Sequence, residues 1–143
     1  MGLQQQDSLG FLLADVSRLM RQAFLRRLEG SSLTLAQARA LIYVSRHEGV
    51  RQVELAELLE VQPITLARLI DRLADNGLVE RRPDPADRRA YRVFLKPGAA
   101  SHLAAIEKVA AVIRADALQG LDEQQIATLL SALSAMRDNL TSR

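Results

Sequence analysis

Apolar residues fall at positions 9, 12, 13, 16, 19, 20, 23 and 24, the spacing of one helix face, which predicts a long amphipathic helix over Leu9–Leu28. Arg18, Arg21, Arg26 and Arg27 lie beside that stripe. Glu29–Ser32 reads as a loop, with Gly30 suited to the helix C-terminus. Thr34 opens a second helix: its hydroxyl can accept the Gln37 N–H while the Gln37 side chain reaches back, a Thr-x-x-Gln capping box. That helix is expected to run to Glu48, where Gly49 supplies a left-handed stop. A short helix over Gln52–Leu59 follows, with Leu55, Ala56, Leu58 and Leu59 on its apolar side.

Glu60-Val61-Gln62 is a three-residue turn before another helix, which Pro63 begins because a missing N–H costs nothing in a first turn. Leu66, Leu69, Ile70 and Leu73 form its buried stripe, while Thr65, Arg68 and Arg72 project from a different face. Asn76-Gly77 ends it. Leu78–Arg82 and Tyr91–Leu95 then read as two strands of a β-hairpin with a long tip, Arg82–Ala90, rich in proline and charge. After the Pro97-Gly98 boundary, Leu103, Ile106, Val109, Ala110 and Ile113 mark a further helix. A second capping-box pattern, Asp122 with Gln125, opens a last one carrying Ile126, Leu129, Leu130, Leu133, Met136 and Leu140. The expected fold class is mainly α with a small β-hairpin: a winged helix-turn-helix flanked by N- and C-terminal helices.

Composition narrows the class of protein. The 143 residues fit one domain, and 48% hydrophobic with 25% charged residues place the chain among globular proteins rather than disordered ones. With no cysteine, disulfides, thiolate metal sites and thiol redox sensing are excluded. The run Leu9–Val16 is broken by Gly10 and Asp15, far short of the roughly 20 apolar residues of a membrane span. Met-Gly-Leu-Gln-Gln-Gln lacks the basic region of a secretory signal, so a cytoplasmic protein with no membrane partner is expected.

A formal charge of +2 implies no nucleic-acid partner, but its distribution does. Residues 62–96 hold eight basic side chains against five acidic ones, +3, which leaves −1 for the rest of the chain. In the helix-turn-helix, the N-terminal half of the second helix can enter a major groove. There Gln62, Thr65, Arg68 and Arg72 offer donors and acceptors to bases and phosphates, Pro63 and Ile64 offer apolar contact to thymine methyls, and Arg68 is the best base-reading candidate. The competing reading makes Arg68 and Arg72 a solvated face paired with Asp71 and Asp75. An arginine at the hairpin tip would reach a narrow, strongly negative minor groove, and Asp87 would either hold a neighbouring arginine extended or serve as a turn residue.

Three segments carry a resemblance: Gln52–Leu59, Gln62–Leu73, and Gly77–Ala90 with its Asp-Arg-Arg at 87–89. In order and spacing they resemble the DNA-binding core of the MarR family of bacterial transcriptional regulators, and the flanking helices extend the likeness to the whole chain. The resemblance implies a single MarR-like domain over 1–143, with a winged core at about 34–96 and dimerisation helices at about 8–29 and 97–141. It implies a homodimer on the double-stranded DNA of a pseudo-palindromic operator, usually acting as a repressor. Carried onto this sequence, Pro63, Thr65 and Arg68 match the recognition-helix contacts, Arg88 the minor-groove arginine with Arg89 beside it, and Asp87 its positioning partner. Leu95–Ala99 departs from the family's common Leu-Thr-x-x-Gly form.

Many relatives release DNA on binding a small aromatic or phenolic effector in a cleft between the dimerisation helices and the winged core. Phe11, Met20, Phe24, Tyr43 and His47 fall near that region, but the first four sit in apolar stripes and no ligand site is assigned. Dimerisation has a local warrant as well, because a long striped helix at each end of so short a chain must bury its apolar face, against a twin or, in the competing reading, within the same chain. Nothing points to an enzyme. His47 and His102 lack metal-ligand spacing, Ser101 and His102 diverge on a helix, and the glycines form no phosphate-binding fingerprint, so no catalytic residue, metal or cofactor is expected. The alternative function is a winged helix used for nonspecific nucleoid binding or protein contact, without ligand sensing.

Overall fold

The computed structural model describes the backbone of residues 2–141 and the side chains of residues 8–141; Met1, Ser142 and Arg143, included in the 1–143 unit above, lie outside the described residues. The elements are α1 (Gly2–Arg27), α2 (Leu35–Arg46), β1 (Val50–Arg51), α3 (Gln52–Leu59), α4 (Pro63–Asp75), β2 (Val79–Asp84), β3 (Asp87–Leu95), α5 (Ala99–Ala117) and α6 (Glu123–Thr141). The fold is mostly helical with one three-stranded antiparallel sheet, ordered β1-β3-β2.

The predicted caps form. Thr34 Oγ1 accepts the Gln37 N–H at 3.1 Å and Gln37 Oε1 accepts the Thr34 N–H at 2.9 Å. Asp122 and Gln125 make the same reciprocal pair at 2.8 and 2.9 Å before α6. Each satisfies two backbone donors that a helix start otherwise leaves open. Thr34→Ala removes one of them at the entry to a helix with a buried face, and is expected to destabilise the fold by about 1 kcal/mol in denaturant unfolding. An unchanged midpoint would show that the turn Ser31–Leu33 alone fixes this entry.

α2 supplies the centre of the core. Ala38, Ala40, Leu41 and Val44 are fully buried and pack with Leu55 of α3, Leu66, Ile70 and Leu73 of α4, and Val79 and Val93 of the sheet. The α4 stripe is as predicted, with Leu69 only partly covered. On α3 the sequence expectation fails for Leu58, which is exposed; Leu55, Ala56 and Leu59 alone share the inner face.

Three expectations, one about a helix end and two about strands, are corrected. The second helix ends at Arg46 rather than Glu48, because His47 leaves helical geometry and caps it, and Gly49, at φ +85°, turns the chain into β1. The Gly49 N–H donates to Val93 O, and Val50 and Arg51 pair with Val93 and Arg92, so the predicted hairpin is the larger part of a three-stranded sheet. Two residues are too few to show any alternation in sequence. The hairpin tip is also shorter than predicted: β2 and β3 extend to Asp84 and Asp87, leaving only Pro85-Ala86 between them. Pro83 is accommodated because β2 is an edge strand, where a missing N–H breaks no central ladder.

The connection from β3 to α5, unusual in sequence, is fixed by close packing. The Lys96 N–H donates to Leu78 O, and a Cβ on Gly98 would meet Gly77 O at 2.9 Å. Only glycine fits there, and α5 starts one residue later.

The terminal helices are packed far less. Ile106 and Ile113 of α5 are buried, but no residue of α6 is, and Leu9, Phe11, Leu12, Val16, Leu19 and Leu25 of α1 are all exposed. The chain therefore presents two apolar helix faces that its own winged core does not cover.

Candidate nucleic-acid interface

α4 begins at Pro63 after Gln62, the N-cap residue, whose side chain makes no capping bond and so leaves the Ile64 and Thr65 N–H groups uncapped. Gln62, Pro63, Ile64, Thr65, Arg68 and Arg72 are all exposed, opposite the buried Leu66, Ile70 and Leu73. The outer face thus combines open backbone donors, a hydroxyl, an apolar side chain and two guanidinium groups. Asp71, suggested by sequence as a partner for these arginines, is taken by Arg81 at 2.6 Å. Arg68 and Arg72 enter no ion pair among the described residues.

Arg81, with Arg82 and Arg92, is counted into a basic surface by the sequence but is engaged by partners within the fold. Its Nε donates to Gln52 Oε1 at 2.7 Å, Nη1 to Asp71 at 2.6 Å and Nη2 to Ala67 O at 2.9 Å. One planar fork from β2 therefore grips α3 and the middle of α4, and holds the outward face of α4 at a set angle to the sheet. Arg82 is occupied too: Nη2 lies 2.6 Å from Glu80, and the guanidinium stacks 3.9 Å above the Phe94 ring.

At the wing, the register runs from Val79↔Leu95 to Pro83↔Tyr91 and then jumps to Asp84↔Asp87. Arg88, Arg89 and Ala90 stand outside this register, in a bulge on β3. Bulges turn side chains away from the pleat, and here both arginines are exposed at the end of the hairpin. Among the described residues Asp87 forms no ion pair with an arginine; its carboxylate accepts the Arg89 backbone N–H at 3.0 Å, the local bond of a turn residue.

The carboxylate that does bind arginine is Asp84, which sequence reasoning passed over. Its side chain is only 1% exposed, with Arg51 Nε at 2.7 Å and Arg92 Nε at 3.5 Å, and it accepts the Ala86 N–H at 2.9 Å. Asp before Pro-Ala was a legible turn signal, but a partner 33 residues earlier was not. The Ala86 N–H, then the Arg51 hydrogen bond, hold the Asp84 carboxyl below the usual carboxylate range against the opposing effect of burial; Asp84 in turn raises Arg51. A carboxyl depressed in the folded state adds stability that is complete above the ordinary carboxylate range and is lost as pH falls through and below it. Unfolding midpoints of the native chain and Asp84→Asn should therefore differ at neutral pH and converge in acid. A gap independent of pH would assign the effect to packing.

Between α1, α2 and α5 lies an open cavity of about 440 Å³. Met20, Phe24, Ile42, Tyr43 and Ile113 make apolar walls, and Arg21 and Arg39 stand among them. Of the side chains placed near a cleft by sequence, Met20, Phe24 and Tyr43 line it. Phe11 is 64% exposed elsewhere on α1, and His47 faces a separate recess with Glu48, Glu54, Glu57 and Arg92. Among the described residues no acidic or histidine cluster is arranged to hold a metal, and no helix is long and apolar enough to cross a membrane.

A helix-turn-helix followed by a β-hairpin wing is the winged helix-turn-helix fold, here with a polar outer face on its second helix and two exposed arginines in the wing. Comparison with known proteins agrees. The MarR family model matches residues 33–91. The solved transcriptional regulator PA3341 is 40% identical, with a TM-score of 0.81 over 94% of this chain and 99% of its own. A MarR transcriptional regulator from Methanosarcina mazei Go1 is 26% identical, with a TM-score of 0.83 over 95% of this chain and 98% of its own. A mutant MarR from E. coli solved in complex with operator DNA is 27% identical, with a TM-score of 0.73 over 93% and 96%. The chain belongs to the MarR family.

Proposed function

We propose that this protein is a cytoplasmic, sequence-specific DNA-binding repressor that grips a pseudo-palindromic operator as a homodimer, without catalytic activity or cofactor. The N-terminal half of α4 enters the major groove, where Arg68 reads a base edge, Thr65 and Arg72 contact bases or phosphates, and Gln62 and Pro63 make the first-turn contacts. The bulged wing places Arg88 in the flanking minor groove with Arg89 on the backbone, and Asp87 shapes the turn that presents them. Residues 34–96 form the reading core, and the helices at 8–29 and 97–141 form the dimerisation arms. The observation that carries this reading is the sorting of the arginines. Arg51, Arg81, Arg82 and Arg92 are consumed by internal partners, whereas Arg68, Arg72, Arg88 and Arg89 point outward from the two elements a winged helix offers to DNA.

The cavity between α1, α2 and α5 supports an effector as well. Apolar walls that include Phe24 and Tyr43, with Arg21 and Arg39 among them, fit a small aromatic or phenolic molecule, above all one carrying an acid group, whose binding would shift the arms against the core and release DNA. Unbiased selection of bound sequences from random DNA, followed by screening aromatic acids and phenols for dissociation of the complex, tests both parts. Two related half-sites centred about 10 base pairs apart are expected. Recovery of unrelated sequences with equal affinity would favour nonspecific nucleoid binding instead.

A further inference from the structure

The outer end of the wing has little to hold it. The β2 ladder loses a donor at Pro83, three residues of β3 fall outside the register, and the connection is Pro85-Ala86. Against that background one polar side chain is buried. Asp84, at the edge of the sheet, reaches past the central strand to Arg51 on β1, touches Arg92 on β3, and with its other oxygen accepts the Ala86 N–H inside the turn. Arg92 is itself tied back through Nη1 to Gly49 O at 2.9 Å. The three strands and the tip therefore converge on one carboxylate. Arg51 is also the N-cap residue of α3, so the same bond joins the wing to the start of the helix-turn-helix.

We propose that Asp84 is the positioning residue of the wing: its carboxylate, clamped between Arg51 and Arg92, holds the bulge that carries Arg88 and Arg89 in the geometry that reads the minor groove. Charge-assisted hydrogen bonds are the strong ones, and an arm ordered before binding avoids the entropy of being ordered by DNA. Asp84 touches no DNA in this arrangement. The outward face of α4 is held by a different set of bonds, the Arg81 fork to Gln52, Asp71 and Ala67 O, so loss of the Asp84 carboxylate falls first on the bulge.

This role rests on the wing reading proposed above, and the test separates the two. Binding is measured on the selected operator and on versions in which either the A·T-rich flanks or the α4-read base pairs are replaced. Asp84→Asn keeps an oxygen for the Ala86 N–H but removes the charge, and is expected to cut flank preference by roughly 3- to 30-fold while discrimination at the α4 positions stays as in the native chain. Arg51→Gln, at a partly exposed position whose loss does not endanger the core, should reproduce the effect, and Arg51→Lys should restore part of it. Native flank preference in both Asp84→Asn and Arg51→Gln overturns the proposal, as does equal loss at flanks and α4 positions. Arg88→Ala is the control on the premise: if it keeps flank preference, the wing reading fails and this role for Asp84 fails with it. If it loses flank preference while Asp84→Asn does not, Asp84 alone is refuted.

Discussion

Leu12→Glu combined with Leu130→Glu is expected to yield a folded monomer whose affinity for a two-half-site operator is about 10²- to 10⁴-fold lower than that of the native protein. Both side chains are more than half exposed in the single chain, so a carboxylate there disturbs no packing within the protomer. In a dimer built on the faces of α1 and α6, the same carboxylates would be buried without partners, which opposes association strongly. The loss on DNA follows from valency. When one recognition helix is seated, the second half-site meets its partner at high effective concentration, and a monomer forfeits that second contact without losing any side chain that touches DNA. Sedimentation and circular dichroism establish the state of the variant, and titration on one and two half-sites reads the consequence. Native-like affinity on both DNAs from a species that sediments as a monomer would remove the dimer from the mechanism. The uncovered apolar surface is what a dimer would hide: no residue of α6 is fully buried, and α1 exposes Leu9, Phe11, Leu12 and Leu19.

What could be read from the residues alone divides along sequence distance. Helix starts at Thr34 and Asp122, the buried stripe of α4 and the order of the helices and the hairpin are local patterns, visible within a few residues, and the structure has each of them. β1 is too short to carry a pattern and exists only because Gly49–Arg51 meets Val93 and Arg92 of β3. The short wing tip was obscured for a related reason. Prolines and charges at 82–90 read as a loop, but the edge position tolerates Pro83 and the distant Arg51 neutralises Asp84. At the interface, residue types on the outer face of α4 were legible from helical spacing. Which arginines remain free was not, because Arg81–Asp71 and Arg51–Asp84 are tertiary pairs that no local spacing announces.

That sorting makes the second large effect specific. Arg68→Ala is expected to relax discrimination at one operator base pair by about 1 to 3 kcal/mol, up to a hundredfold or so, while binding to random DNA changes little. Arg72→Ala, if that side chain holds a phosphate, should weaken all sequences alike and lower the slope of log affinity against log salt by about one. Arg82→Ala supplies the contrast. It removes the same formal charge from the same basic segment, yet its guanidinium already pairs with Glu80 at 2.6 Å and stacks on Phe94, which draws it away from a phosphate. Its salt slope should match the native protein's. If bulk charge governed binding, the three variants would fall on one line, each losing the same slope and none changing base preference. A separation between them would place recognition in the geometry of individual guanidinium groups, freed or occupied by the fold, rather than in the +3 that residues 62–96 carry as a sum.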